Sequence, residues 1–449
     1  MICTKLQLKN YKVFDDVTFS LTSRNNSPKN LAIIYGANGS GKSTILEAFV
    51  TLYDLMNTKD ITNTLDAIKD RLSSNNNSDI DYDDLTEISK YLSRGSISIS
   101  KIYNKIKGVT EDLPTSLILY FEENGYKGSY EIRLYDNSII YEELKYLISK
   151  NMGCYYKIEK NKNYINDKLI LDKNIKNRFN ELINQSFGIH SFMSIIKNEL
   201  QNFNNDYINN AFLENFINLL KNFDKFSYRI CNLSNTIEGI SKTNSYLLSH
   251  ISSGNINKTT KTELSKTEKA LTNLLKFYIN DLIKIEYIVT EESYNLLITK
   301  NINNKNVKIF YSEESSGIKE IINLMPYFIK ALNGEIVILD EYANHIHDSL
   351  SLYFLNSIIP LIKGQLILST HSTVLLSQMY ENHYDSFYYI KVKNSTRSIE
   401  CITDIETRIR SKYNYQKKYL QDELYYYYRN NIDENIDPII FEKAIDKLR

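Results

Sequence analysis

Residues Gly36-Ala37-Asn38-Gly39-Ser40-Gly41-Lys42-Ser43-Thr44 fit the pattern G-x-x-x-x-G-K-[ST] in full. Glycines at Gly36, Gly39 and Gly41 let backbone N–H groups close on phosphate oxygens. A helix starting there adds its positive dipole end. Lys42 would reach the β- and γ-phosphates and the Ser43 hydroxyl would ligate Mg²⁺. A second stretch, Glu335-Ile336-Val337-Ile338-Leu339, is β-prone and ends in the acids Asp340-Glu341. Asp340 would hold Mg²⁺ through water, and Glu341 would orient and polarise an attacking water. A third, Gln365-Leu366-Ile367-Leu368-Ser369, delivers Thr370-His371 at its carboxyl end, where His371 can meet a γ-phosphate. A fourth, Ser312-Glu313-Glu314-Ser315-Ser316-Gly317-Ile318-Lys319, places small residues before a helix expected over Glu320 to Leu332, a further anion site. The ligand these four stretches imply is ATP with Mg²⁺.

The elements that must position these residues are legible around them. Leu31 to Tyr35 is an unbroken apolar run, the mark of a buried strand. Ile45, Phe49, Leu52 and Met56 recur at helical spacing after the glycine loop. Residues 3–20 read as two short strands, and 57–110 as polar and partly helical with an Asn/Ser/Asp-rich loop at 73–84. Strand-like alternation covers 114–145. A helix-rich stretch runs from about 173 to 285, with apolar stripes through Phe212, Phe216, Leu219, Leu220 and Phe223 and through Leu271, Leu274, Leu275, Tyr278 and Leu282. Strands resume at 285–311, and helices then alternate with two apolar strands. That alternation predicts an α/β fold with a mixed or parallel sheet. The expected organisation is an N-terminal lobe over 1–190, an inserted helical arm over 191–285, a C-terminal lobe over 286–395 and a helical tail over 396–449.

Composition narrows the function classes. Only 14 glycines occur in 449 residues, yet three fall between Gly36 and Gly41. That sparsity excludes collagen-like, linker-like and low-complexity chains. Lys+Arg and Asp+Glu are equal at 54 each, which removes the case for a globally basic nucleic-acid binder. Four scattered cysteines, Cys3, Cys154, Cys231 and Cys401, form no C-x-x-C pair and fit a reducing cytoplasm. No run of 18 apolar residues and no leader-like start suggests a membrane.

The order of motifs resembles the ABC-type P-loop ATPases of the SMC, RecF and OLD branch. Asn38-Gly39 within the loop and Asn10-Tyr11 with Phe14 after the first strand share in that likeness. The chain is most similar in appearance to the compact ATPases of bacterial abortive-infection and antiphage operons, of the Septu, PARIS and lactococcal types. Glu314-Ser315-Ser316-Gly317 is similar to their signature, Asp340 to His347 to their D-loop region, and Ser369-Thr370-His371 to their switch. Tyr130 to Leu144 and Tyr413 to Leu420 also look like them. Asp348 stands where that family usually has Pro, and Tyr425 to Tyr428 replace a Gly-rich ending. The resemblance implies two heads sandwiching ATP. Ser315, Ser316 and Gly317 of one chain would complete the site built by Lys42, Asp340 and Glu341 of the other.

The same resemblance implies a slow, regulated ATPase. It would act in antiviral defence as a homodimer or higher even oligomer, with a separately encoded Toprim- or HNH-type nuclease as its effector. A RecF- or SMC-like repair ATPase whose ligand is DNA is the alternative, and a self-sufficient OLD-like nuclease the less favoured third. The 78 residues after His371 show no clear acidic Toprim constellation, and Asp404 and Glu406 read as solvated charges. Arg408, Arg410, Lys412, Lys417 and Lys418 form a basic stretch without an acid, a candidate contact for nucleic acid or a partner. His345 and His347 have one residue between them and no further ligands nearby, and read as D-loop residues rather than a metal site.

Overall fold

The computed structural model describes residues 1–73, 98–231, 236–241, 246–405 and 415–420. Two strands open the chain, β1 (Ile2–Tyr11) and β2 (Phe14–Ser20). β3 (Leu31–Tyr35) is buried at every position, as its unbroken apolar run requires. It leads through the glycine loop into helix α1 (Lys42–Leu55). A meander follows: β4 (Thr115–Glu123), β5 (Tyr126–Tyr135), β6 (Ser138–Leu147), β7 (Met152–Glu159) and β8 (Lys162–Ile165). With β1 and β2 it forms one antiparallel seven-stranded sheet, in the order β2-β1-β4-β5-β6-β7-β8.

Helices Lys173–Ser186, Phe192–Leu200, Asn205–Ala211 and Glu214–Phe223 come next. Then β9 (Phe226–Cys231) and β10 (Thr236–Gly239) appear within the span expected to be a helical arm. β9 pairs in parallel with the strand that precedes Asp340, so this part of 191–285 belongs to the nucleotide-bearing sheet. The reason lies in a short alternation. Phe226, Tyr228 and Ile230 are buried, while Arg229 between them is accommodated by charged partners rather than by solvent. Within the same span, β11 (Ser253–Asn255) and the start of β12 (Leu282–Val289) flank helix α2 (Lys261–Leu275), which starts on a Thr260–Glu263 capping box. β12, β13 (Ser293–Ile302), β14 (Lys305–Phe310) and β11 form a small antiparallel sheet.

Helix α3 (Ser316–Leu332) starts four residues before its expected onset and carries Pro326 in its interior. β15 (Ile336–Leu339), α4 (Asp348–Ile358), β16 (Gln365–Ser369), β17 (Phe387–Lys393) and β18 (Thr396–Cys401) complete the second seven-stranded sheet. Its order is β10-β9-β15-β16-β3-β17-β18, with five parallel strands in the centre and an antiparallel strand on each edge. This is the mixed α/β architecture the alternation predicted. Among the described residues no helix is long and apolar enough to cross a membrane. Residues 74–84 of the loop expected over 73–84, the basic residues Arg408, Arg410 and Lys412, and the run Tyr425 to Tyr428 lie outside the described residues.

One buried pair ties this sheet to α3. The Arg229 guanidinium donates Nη1 and Nη2 to the two carboxylate oxygens of Glu320, and Nε to Glu238. Arg229 and Glu320 are both largely buried. A fork-on-carboxylate geometry satisfies both charges, whereas removing one partner strands the other in low dielectric. Arg229→Ala is therefore expected to destabilise the fold by about 3–5 kcal/mol. Urea denaturation followed by circular dichroism checks this, and an unchanged midpoint would show that the pair holds nothing together.

Candidate nucleotide site

Five parallel strands bring their carboxyl ends to one edge, and three of them deliver the expected residues. β3 ends into Gly36, β15 into Asp340-Glu341, and β16 into Thr370-His371. Pairing of Leu339 with Leu368 and of Ile34 with Ser369 sets these ends level.

The loop from Gly36 to Gly41 is shaped by its glycines. A Cβ on Gly36 would lie 2.6 Å from the Ser40 hydroxyl, and Gly39 and Gly41 have φ of 75° and 113°. Gly41 caps α1 in the left-handed region and sits against the Phe14 ring, so the Phe14 read from the sequence is the floor of the loop. Asn38 is exposed, and Ala37 and Ser40 are buried. The Lys42 ammonium is folded into the loop, donating to the carbonyls of Gly36 (2.8 Å) and Ala37 (3.1 Å). Burial lowers its pKa, against the opposing pull of Asp340 and Glu341. Ser43 and Thr44 follow on the first turn of α1, half-buried.

Asp340 is buried, and its pKa is raised by that burial. The Ser369 hydroxyl donates to its Oδ1 and also accepts the Glu341 backbone N–H at 3.0 Å. Ser43 stands near enough to favour the charged carboxyl, yet among the described residues Oδ2 has no hydrogen bond of normal geometry. A buried carboxylate oxygen without a partner, beside the Ser43 hydroxyl, is a donor set that fits a hard divalent cation such as Mg²⁺. The buried Ser40 hydroxyl likewise has no hydrogen-bond partner among the described residues and suits a phosphate oxygen. Glu341 is half-buried, with φ of 50°, and its Oε2 accepts from the Asn344 amide at 2.9 Å. His371 stands exposed beyond β16. Partial burial and then the Lys42 charge lower its pKa, and Glu341 opposes them. Lys42, Asp340, Glu341 and His371 thus share one electrostatic cluster.

The Ser-Ser-Gly segment stands apart. Glu314 turns inward, accepting from Lys300 (2.8 Å) and from the Ser315 N–H (3.0 Å). Ser315 caps α3 without a side-chain hydrogen bond, and Ser315 and Ser316 are exposed. Among the described residues no hydrogen bond or ion pair joins Ser315, Ser316 or Gly317 to the Lys42 cluster. Gly317 instead abuts the His345 carbonyl, 3.0 Å from where a Cβ would lie.

Besides the Asn344–Glu341 hydrogen bond, three contacts escaped the sequence reading. Ser369 bridges both acids. Asp348, in place of the expected Pro, opens α4 and accepts the Ser372 hydroxyl at 2.6 Å, tying the turn after β15 to the residue after His371. Tyr419 packs edge-on against Tyr35, and its hydroxyl approaches the Gly36 carbonyl. A signal existed for Asp348, since an acid at a helix start suits the dipole. For Ser369 the only hint was a polar residue closing an apolar strand. His347 caps α4 through Nδ1 toward Ser349, and the described residues hold no cluster of three metal-ligating side chains.

Residues 31–377, from the first residue of β3 to the helix after His371, match the family profile described as "AAA domain, putative AbiEii toxin, Type IV TA system". The curated "Retron Vc95 probable ATPase" of Vibrio cholerae serotype O1 biovar El Tor is 26% identical over 410 residues, covering 83% of this chain and 72% of that protein. Among solved structures, the "SMC head domain from Thermotoga maritima" covers 90% of this chain and 99% of its own at 14% identity and a TM-score of 0.40. The "Structure of the recombination mediator protein RecF-ATPrS in RecFOR pathway" covers 88% of this chain and 97% of its own at 12% identity and a TM-score of 0.35.

Gly41 gives the sharpest local test. A Cβ there would lie 2.6 Å from the Phe14 ring on a backbone with φ of 113°. Gly41→Ala is expected to weaken binding of a fluorescent ATP analogue at least about tenfold while the chain stays folded. Fluorescence titration beside a melting curve reads both, and binding at parental affinity would show that the loop needs no glycine here.

Proposed function

The chain belongs to this AAA-domain family, and on that premise we propose that it is the ATP-binding, ATP-hydrolysing sensor-regulator subunit of a bacterial antiphage defence system. Two heads close on ATP and control a separately encoded effector nuclease of the Toprim or HNH type. The observation that carries this reading is the division of the motif set. Lys42, Ser43, Asp340, Glu341 and His371 gather at one sheet edge, while Ser315 and Ser316 are exposed at the start of α3 and Gly317 lies half-buried against the His345 carbonyl. A half-site of each kind on one chain suits two copies in which each completes the other.

The chemistry follows from the side chains. The loop N–H groups and the α1 dipole hold the phosphates, and Lys42 leaves its two carbonyls to meet the β/γ oxygens. Ser43 and Asp340 would hold Mg²⁺, which would supply neutralisation of phosphate charge. Glu341 accepts a proton from the attacking water. His371, whose pKa burial and the Lys42 charge lower, can hydrogen-bond the γ-phosphate or that water. Ser315 and the first N–H groups of α3 approach the γ-phosphate of the partner's nucleotide. The defence role is supported by the family description, which names a toxin of a toxin–antitoxin system, and by the relative, named as an ATPase of a retron.

Glu341→Gln is expected to retain ATP and lose hydrolysis, and Lys42→Ala to lose nucleotide binding by calorimetry. The shared site has its own test. Lys42→Ala chains and Ser315→Arg chains are each expected to be inactive, and mixing them should restore part of the parental turnover, because one composite site is then intact. Mixtures no more active than the separate chains would argue against a site shared across two copies.

A further inference from the structure

The turn after β15 is held unusually tightly, apart from one side chain. Glu341 and Ala343 both occupy the left-handed region, at φ of 50° and 70°, which non-glycine residues adopt at a cost. Glu341 N–H is fixed by the Ser369 hydroxyl, and Tyr342 N–H by the Ser369 carbonyl at 2.8 Å. The Tyr342 ring is buried and its hydroxyl donates to the Ser351 carbonyl at 2.9 Å. The backbone under Glu341 is thereby set. Its side-chain torsions remain free to rotate unless something holds the carboxylate.

We propose that Asn344 is the positioning residue that holds it, a role that rests on reading Glu341 as the base. The Asn344 amide donates to Glu341 Oε2 at 2.9 Å, and the Asn344 backbone N–H returns to the Glu341 carbonyl at 3.2 Å. That leaves Oε1 for the water. Asn344 is exposed, and among the described residues the Glu341 carboxylate is its side chain's hydrogen-bond partner, so no buried structure hangs on it. The next residue, His345, sets its carbonyl against Gly317. The side chain that fixes Glu341 therefore sits in a turn that also touches the Ser-Ser-Gly segment. A carboxylate restrained by one amide loses little rotational freedom on reaching the transition state, which is where small misplacements cost rate.

The test compares Asn344→Ala, Asn344→Asp and Glu341→Gln, and the Asn344→Ala/Glu341→Gln double variant, in steady-state ATPase and ATP-analogue titrations. Asp keeps the shape and turn preference of Asn but cannot donate, so it separates positioning from turn formation. Both single Asn344 variants are expected to lower kcat about tenfold, with KM, analogue affinity and melting temperature unchanged. The double variant should be no slower than Glu341→Gln alone. Parental kcat in Asn344→Asp, a loss of binding that parallels the loss of rate, or an additive loss in the double variant would overturn the assignment. A Glu341→Gln chain turning over at the parental rate would remove the base assignment and this one with it. An inactive Glu341→Gln beside a fully active Asn344→Asp would remove this one alone.

Discussion

Parallel pairing of β16 with β3 on one side and β15 on the other is the constraint on which the site depends. The register puts Ser369 opposite Ile34 and Leu368 opposite Leu339. The glycine loop, the two acids and the histidine therefore leave the sheet at one level. A slip by one residue would turn Ser369 to the other face and break its contacts with Asp340 and Glu341. Continuous apolar burial on both faces of these strands makes such a slip costly. Core packing and site geometry are thus one requirement.

What could be read in the sequence was what is contiguous in it. The loop, the Asp340-Glu341 pair and the strand before His371 each announce themselves within about ten residues, because a buried parallel strand is an apolar run and its carboxyl end is where chemistry sits. β9 was hidden for the opposite reason. Its six residues lie among amphipathic helices, carry an arginine, and become a central strand only through β15 and Glu320, both far along the chain. Ser369 and Asn344 were hidden because a hydrogen bond between side chains has no local signature. The abundant tyrosines looked compositional. In the folded chain several are core residues whose hydroxyls cap distant carbonyls, as Tyr287 does for Ile251 and Tyr35 for Ser372. In a chain without tryptophan they supply both the large rings and the polar tips.

Packed contacts link the Lys42 cluster to the Ser-Ser-Gly segment. Glu320 lies one turn beyond Gly317 on α3, and its partner Arg229 lies on β9, whose backbone carbonyl accepts the Asp340 N–H at 2.8 Å. A displacement of the Ser-Ser-Gly end of α3 would therefore meet, through these packed contacts, the strand pair that holds Asp340. The turn from Glu341 to His347 offers a second link, since Gly317 rests on His345. Closely packed interiors transmit such displacements instead of absorbing them. In the proposed dimer, docking of one chain's Ser315 on its partner's nucleotide would then bear on its own Asp340 and Glu341. Occupancy of one site would thus be felt at the other without either side chain reaching across.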